Sequence, residues 1–213
     1  MIFLPVGCLI FLIFILLFPV LFFLVFFHLI TLGFEKLGLS SEATLLLLLL
    51  MLIGSTINIP LGRKKIVYTK EPSFFFFRSH RERVTGITIN VGGAVIPILL
   101  SLYFLKDVPL QPVLIATLLM IVVSKYLSRI VPGRGIVIPA FIPPLFAAFF
   151  AFALAPDFMA PVAFISGVLG TLIGADILNL NKARKGSLGM MSIGGAGVFD
   201  GIFLVGIISA LLS

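Results

Sequence analysis

Seven apolar segments of roughly membrane-spanning length divide this 213-residue chain, and short polar loops separate them. A helix needs about 20 mostly apolar residues to cross a bilayer. Because 61% of the residues are hydrophobic and only 11% are charged, the chain cannot cover a water-soluble core of this size with polar surface. We therefore predict an all-α fold: a single integral-membrane domain over residues 1–213 with about seven transmembrane helices. The predicted spans are about 2–33, 41–61, 85–105, 109–127, 138–155, 159–180 and 192–213.

Two of these segments carry prolines. The first contains Pro5 and Pro19, which predict a tilt or kink. It has no basic start and no small-residue cleavage site, so we interpret it as a retained helix. The fifth has Pro139, Pro143 and Pro144 in its first turns, so it is either a full span or a broken, re-entrant helix.

The basic residues predict the orientation of the chain. Thirteen of the 15 Lys and Arg residues fall in loops on one side of the predicted bundle, and only Lys36 and Lys106 fall on the other. The positive-inside tendency places the basic loops and the N-terminus in the cytoplasm and the C-terminus outside, in the cell membrane. The net charge of +7 thus reports orientation, and we expect membrane lipids rather than nucleic acid as partners.

The longest basic loop, residues 63–84, has a composition typical of a short β-hairpin. Ile66–Tyr68 and Phe74–Phe77 are β-prone runs on either side of a Lys-Glu-Pro turn. One interpretation is an interfacial segment, with aromatic rings among lipid headgroups and basic residues on anionic lipid. The other is a strand edge that pairs with an extended peptide.

Four polar side chains, from four segments, form a predicted layer near the cytoplasmic ends of the helices. If each segment is helical to its end, the rise of a helix places them at similar depths of about 7–12 Å. They are Asp176, Asp200, Asn58 and Asn90, and Asn179 is a further candidate for this layer. Ionisable side chains inside a membrane are costly and usually face a bundle interior or a wet cavity. We therefore take Asp176 and Asp200 as the candidate catalytic residues and the asparagines as a supporting polar layer.

Glycines surround both aspartates. Gly174 precedes Asp176 and forms a GxxxG pattern with Gly170, which favours close helix packing. Gly194, Gly195 and Gly197 open the last segment, where they predict flexible, easily unwound backbone beside Asp200.

Hydrolysis is the first hypothesis for the aspartate pair. Two carboxyl groups about 3 Å apart cannot both ionise, so they share one proton. The ionised group can then activate a water molecule while the protonated group polarises a peptide carbonyl.

Two resemblances bear on this hypothesis. The segment IGGAGVFDGIFLVGIISALL resembles the GxGD-containing helix of presenilin and signal peptide peptidase and, more loosely, that of prepilin peptidases. In the presenilin group of intramembrane aspartyl proteases, consecutive helices six and seven carry one catalytic aspartate each, which the resemblance assigns to Asp176 and Asp200. It also implies a transmembrane peptide substrate. INIPL near Asn58, GAD…NL at Asp176 and IGGAGVFDGIFL at Asp200 resemble a prokaryotic multi-pass membrane family of unknown function over most of the chain.

Two other hypotheses stay open. The aspartates and asparagines could form a cation or proton site of a transporter, with Na⁺, Ca²⁺ or Mg²⁺ on oxygen ligands. The hydrolase hypothesis needs no cofactor or metal. The third hypothesis is a non-catalytic membrane scaffold whose basic loop binds lipid or a partner. Cys8 rules out an internal disulfide, while His28 and His80 are interpreted as an interfacial anchor and a solvated loop residue.

Overall fold

A computed structural model of the chain describes residues 6–62, 65–70, 80–131, 135–186 and 190–211. Helices make up most of the described chain, and short strands follow or precede several of them. The helices are α1 (Val6–Lys36), α2 (Ser41–Gly54), α3 (Ile96–Phe104), α4 (Leu110–Leu127), α5 (Ile142–Leu154), α6 (Met159–Thr171), α7 (Leu180–Gly186) and α8 (Ala196–Leu211). The strands are β1 (Asn58–Pro60), β2 (Lys65–Lys70), β3 (His80–Asn90), β4 (Arg129–Val131), β5 (Gly135–Val137) and β6 (Met190–Ile193).

Two segments of π-helix interrupt this pattern. Val91–Val95 joins β3 to α3, and Leu172–Asp176 continues α6 toward a short 3₁₀ turn at Ile177–Asn179. Wide turns of this kind are rare and occur mostly where a helix carries a functional site. The first π segment begins directly after Asn90, and the second ends at Asp176. The two segments therefore position polar residues of the candidate site.

Helix α6 is the centre of the bundle. It is apolar on all sides, which is the pattern of a buried helix, and it packs against α3, α4, α5 and α8. The ring of Phe164 on α6 makes edge contacts with Phe34 on α1 and Phe104 on α3, at centroid distances of 6.4 and 5.3 Å. The helix that leads to Asp176 is thus enclosed by the rest of the protein.

The GxxxG pattern of α6 and its π segment packs directly on α4. A Cβ atom added at Gly170 would lie 2.3 Å from the Cβ of Met120, and one at Gly174 would lie 2.4 Å from the carbonyl oxygen of Ile121. No side chain fits at either position, so the two glycines set the close approach of these helices.

Four strands, β1, β2, β3 and β6, meet in a small sheet with β3 in the middle. β1 pairs antiparallel with the end of β3, Asn58 opposite Asn90. β2 pairs antiparallel with the beginning of β3, from Lys65 opposite Thr85 to Lys70 opposite His80. β6 pairs parallel with β3 on the other edge, Ile193 opposite Ile89. The pairing of β2 with β3 confirms the predicted hairpin. Phe74–Phe77 lie outside the described residues, and both interpretations of that loop stay predictions.

Two helices of the described chain are long and apolar enough to cross a membrane. They are Leu110–Leu127 and the continuous helical run Pro156–Ala183, and shorter apolar helices lie at Phe11–Val25, Ser41–Gly54 and Ile142–Leu154. Side chains along Phe11–Val25 are largely exposed, as expected of a surface that faces lipid. These observations indicate membrane association. The number of spans, seven, stays a prediction.

Strands replace helix at three of the predicted segment ends. The second segment is helical only to Gly54, the third becomes helical only from Val91, and the last begins as β6. Pro60 cannot continue a helix, and the alternating β-branched residues of the third segment favour a strand. The depths assigned to Asn58 and Asn90 from the rise of a helix are therefore wrong, because both residues lie on extended backbone.

The fifth segment is helical from Ile142, after the first of its prolines. Pro143 and Pro144 occupy the first turn of α5, where the missing backbone N–H costs nothing. The prolines therefore set the start of this helix rather than a break within it.

Candidate functional site

Asp176 is the buried acid of the described chain. It is the last residue of the second π segment and is 1% exposed. Its Oδ2 atom accepts a hydrogen bond from the backbone N–H of Gly194 over 2.6 Å. Because Gly194 lies between β6 and α8, this bond ties the end of the central helix to the start of the last one.

Gly194 can make this contact only because it has no side chain. Its φ angle is +68°, a left-handed conformation that glycine adopts at little cost. A Cβ atom there would lie 2.6 Å from both the carbonyl carbon and the carbonyl oxygen of Gly93. The predicted flexible backbone at Gly194 and Gly195 is thus a defined turn, closed by a bond from the N–H of Gly195 to the carbonyl of Ser192.

Asp200 lies in α8, six residues after Gly194. Its side chain, like the surroundings of Gly197, lies outside what the structure describes. The helix itself contacts the π segment that ends at Asp176, and it also contacts α6. The two aspartate-bearing segments are therefore neighbours in the fold, and the meeting of the two carboxyl groups stays a prediction.

Asn90 closes the start of the first π segment. Its Oδ1 atom accepts the N–H of Gly93 over 2.7 Å, and its Nδ2 atom donates to the carbonyl of Ser55 over 2.6 Å. The same Nδ2 atom donates to Oδ1 of Asn58 over 3.2 Å. Asparagine is a preferred residue at such a helix start because its oxygen pairs with a backbone N–H that has no partner in the helix.

Asn58, on β1 at one edge of the sheet, is linked to β6 at the other edge. Its Oδ1 atom accepts hydrogen bonds from Asn90 Nδ2 and, over 2.5 Å, from the hydroxyl of Ser192 on β6. Thr88 on β3 donates to the carbonyl of Met191 on β6 over 3.2 Å. Asn58 and Asn90 thus lie together, as the sequence predicts, and they hold β1, β3 and β6 in register.

Ser192 is the member of this cluster that the sequence analysis did not single out. The signal for it was present: Ser192-Ile193 precedes a Gly-Gly pair as Thr88-Ile89 precedes another, with two residues inserted. The parallel register places Thr88 opposite Ser192.

Asn179 belongs to a separate cluster. Its Nδ2 atom donates to the hydroxyl of Ser128 over 2.7 Å and to the carbonyls of Gly174 and Ala175 over 3.2 and 3.0 Å. These two carbonyls belong to the π segment. Asn179 therefore stabilises the irregular backbone before Asp176 and links it to the end of α4. The predicted single layer divides into three groups: the asparagine pair, Asp176 with Gly194, and Asn179 with Ser128.

Within the described ranges, no group of three or more His, Cys, Asp or Glu side chains is placed to hold a metal ion. The oxygens of the asparagine pair are already engaged as acceptors, Asn90 Oδ1 by one donor and Asn58 Oδ1 by two. A cation ligated by Asn58 Oδ1 would have to displace a donor that the protein itself supplies, whereas Asn90 Oδ1 keeps one acceptor lone pair.

The fold and the site define a membrane-associated helical protein in which a buried carboxylate binds the backbone between a short sheet and a helix. The chain belongs to the family described as protein of unknown function DUF1614, whose profile matches residues 52–212. The matched region includes every residue of the site and leaves α1 outside. No curated protein and no solved structure matches the chain.

Proposed function

We propose that this chain is a multi-pass membrane protein, with its N-terminus and basic loops in the cytoplasm, that hydrolyses a peptide bond of a transmembrane substrate. Asp176 and Asp200 act as the acid–base pair. One observation carries the proposal: the carboxylate of Asp176 is bound to the N–H of Gly194, and the chain then enters α8, where Asp200 follows six residues later.

The burial of Asp176 argues for a functional role. An ionised carboxyl group at 1% exposure in an apolar bundle costs several kcal/mol unless it is paired or hydrogen-bonded. A glutamine or serine could bind one backbone N–H at a smaller desolvation cost. The choice of an acid at this position therefore supports a role in proton transfer.

The geometry also orients the acid. The bond from Gly194 fixes one carboxyl oxygen, and the π segment that presents Asp176 is itself fixed by Asn179. General acid–base catalysis depends on such positioning, because the reacting groups must lie within hydrogen-bond reach of each other.

The proposed reaction follows from two carboxyl groups that share a proton. The ionised group removes a proton from water while the water oxygen bonds to the peptide carbon, and the protonated group donates its proton to the carbonyl oxygen. The carbon–nitrogen bond of the tetrahedral intermediate then breaks. The nitrogen takes a proton from the carboxyl group that had received one from water, and the other group, now ionised, removes the proton from one hydroxyl of the intermediate. The products are a carboxylic acid and an amine.

Proton-coupled transport is the second candidate. The observation in its favour is the pair of π segments, since irregular helices beside an acid are a feature of transporter sites. The two donors on the side-chain oxygen of Asn58 count against the cation cage of the sequence analysis. A transport role would therefore rest on proton transfer at the aspartates alone.

The test is cleavage of transmembrane peptides by the purified protein in proteoliposomes. We expect Asp176→Asn and Asp200→Asn each to abolish cleavage, and Asp107→Asn, an exposed acid at the other end of the bundle, to leave it intact. Cleavage that survives both site variants would overturn the proposal. An absence of cleavage, together with pH-gradient-driven uptake that depends on Asp176, would favour transport.

A further inference from the structure

An open cavity lies at the end of the bundle opposite Asp176. It is lined by the end of α1, the residues after α3 and the start of α6, and its volume is about 440 Å³. Met159 borders it, and Asp176 lies 17 residues further along the same helical run, roughly 25 Å away by helix rise. The cavity is therefore separate from the candidate hydrolytic site.

The wall of this cavity is mostly apolar. Phe104 and Ala160 are each 3% exposed and form its inner surface. The remaining apolar lining residues are Leu37, Val108, Pro156, Phe158, Met159 and Pro161. A volume of a few hundred Å³ with apolar walls is typical of sites for small molecules rather than for ions alone.

Two carboxylates give the cavity its charge. Asp107 follows α3 and Asp157 precedes α6, and both residues line the cavity. Among the described lining residues there is no lysine, arginine or histidine. One neighbouring cation, Lys106, has its Nζ atom 5.5 Å from the ring centroid of Tyr103, and Tyr103 does not line the cavity. The charged residues of the described lining are thus the two aspartates.

We propose that this cavity binds an amphiphilic organic cation: an ammonium head between Asp107 and Asp157, with an alkyl chain against Phe104, Val108 and Leu37. The carboxylates attract the ammonium head. The apolar wall removes the chain from water, with a gain of about 25 cal/mol per Å² of buried apolar surface. A metal ion would leave most of this wall without a contact, and an anionic amphiphile would meet two like charges.

The test uses dodecyltrimethylammonium as the probe and the full chain in nanodiscs of zwitterionic lipid. Binding is measured by isothermal titration calorimetry, with empty nanodiscs as the baseline for partition into lipid. We expect saturable binding of about one probe per chain. Dodecyl sulfate and dodecyl maltoside, which have the same chain length, should show partition only.

The decisive variant is Asp107→Asn with Asp157→Asn. Both residues are exposed, so the fold should tolerate the change. Binding should weaken about tenfold, because each accessible ion pair contributes up to about fivefold. Glu42→Gln, an exposed acid in the first turn of α2, is the matched control and should bind like the parent chain.

Two results would overturn the inference. One is equal affinity of the parent chain and the double variant for the cationic probe. The other is saturable binding of the sulfate or maltoside as tight as that of the cation. Thermal unfolding of each variant shows whether its fold is retained, and Ala160→Leu, which fills the inner surface, provides a second loss of binding that leaves both charges in place.

Discussion

Two parallel neighbouring strands, β3 and β6, each lead into a helical segment. The two strand-to-helix connections, called passages below, are built differently. The first passage, residues 88–94, leads from β3 into the π segment before α3, and the second, residues 192–197, leads from β6 into α8. In the first, Asn90 accepts the N–H of Gly93, three residues later. In the second, the N–H of Gly194 is bound by Asp176, 18 residues earlier in the chain.

This difference shows which passage is structural and which belongs to a site. In the first, the acceptor for the backbone N–H is a side chain of the passage itself. The second needs an acceptor from another element, and the acceptor is a carboxylate, which is costly to bury. A neutral asparagine performs the same task 2.7 Å from its partner in the first passage. The acid in the second therefore points to a use beyond closing the turn.

The largest loss of stability is expected at Gly92, where the backbone of the first passage contacts the backbone of α2. A Cβ atom at Gly92 would lie 1.9 Å from the carbonyl oxygen of Met51 and 2.4 Å from the backbone nitrogen of Ser55. Because backbone atoms cannot move aside as a side chain can, Gly92→Ala should lower the free energy of unfolding by about 3 kcal/mol or more. Thermal unfolding in detergent measures this.

The control for this change is Gly7→Ala in α1, where nothing lies within 4 Å of the new atom. It should be neutral or slightly stabilising, since alanine favours helix over glycine by up to about 1 kcal/mol. A Gly92→Ala chain as stable as the Gly7→Ala chain would show that the first passage is not closely packed on α2.

The second passage is tested by Asp176→Ala. This change leaves the N–H of Gly194 buried without its partner, which costs about 1–3 kcal/mol. Asp176→Asn keeps an acceptor oxygen, so its free energy of unfolding should lie within about 0.5 kcal/mol of that of the parent chain. Hydrolysis should nevertheless be lost. The same thermal measurement separates the two variants. If Asp176→Asn were as unstable as Asp176→Ala, the acid itself would be required for folding, and the comparison between the passages would fail.

Much of this arrangement was open to prediction from the sequence. Two aspartates in apolar segments identified the site candidates, and β-prone runs on either side of a Lys-Glu-Pro turn predicted the hairpin. The error came from Asn58 and Asn90, whose apolar neighbours were interpreted as helix although Pro60 and the T-I-N pattern favour strand. The bond from Asp176 to Gly194 could not be predicted, because it depends on a left-handed turn fixed by the packing of Gly194 on Gly93.

A smaller effect is expected from the cap of the first passage. Asn90→Ala removes the acceptor for Gly93 and both donated bonds, which should cost about 1–2 kcal/mol of stability. Asn90→Ser restores an acceptor for the N–H of Gly93 but not the longer amide group that donates to Ser55 and Asn58, and should recover about half of the loss. Peptide cleavage by folded protein should continue in both variants, since the proposal gives Asn90 no part in proton transfer. Complete loss of cleavage with an intact fold would place Asn90 in the catalytic site.

The smallest loss of stability is expected at the hydrogen bond from Ser192 to Asn58, through which β1 links the two passages. Ser192→Ala removes the hydroxyl that donates to Asn58 Oδ1, while Asn90 still donates to the same oxygen. Because Asn58 is exposed and water can replace the lost donor, the cost should be about 0.5 kcal/mol. Thr88→Val provides the matched change on the opposite strand, where the hydroxyl and its acceptor, the Met191 carbonyl, lie in a buried part of the sheet. It should cost about 1 kcal/mol. A larger loss for Ser192→Ala than for Thr88→Val would mean that the asparagine pair, rather than the strand pairing, holds β6 beside β3 and positions Gly194 for Asp176.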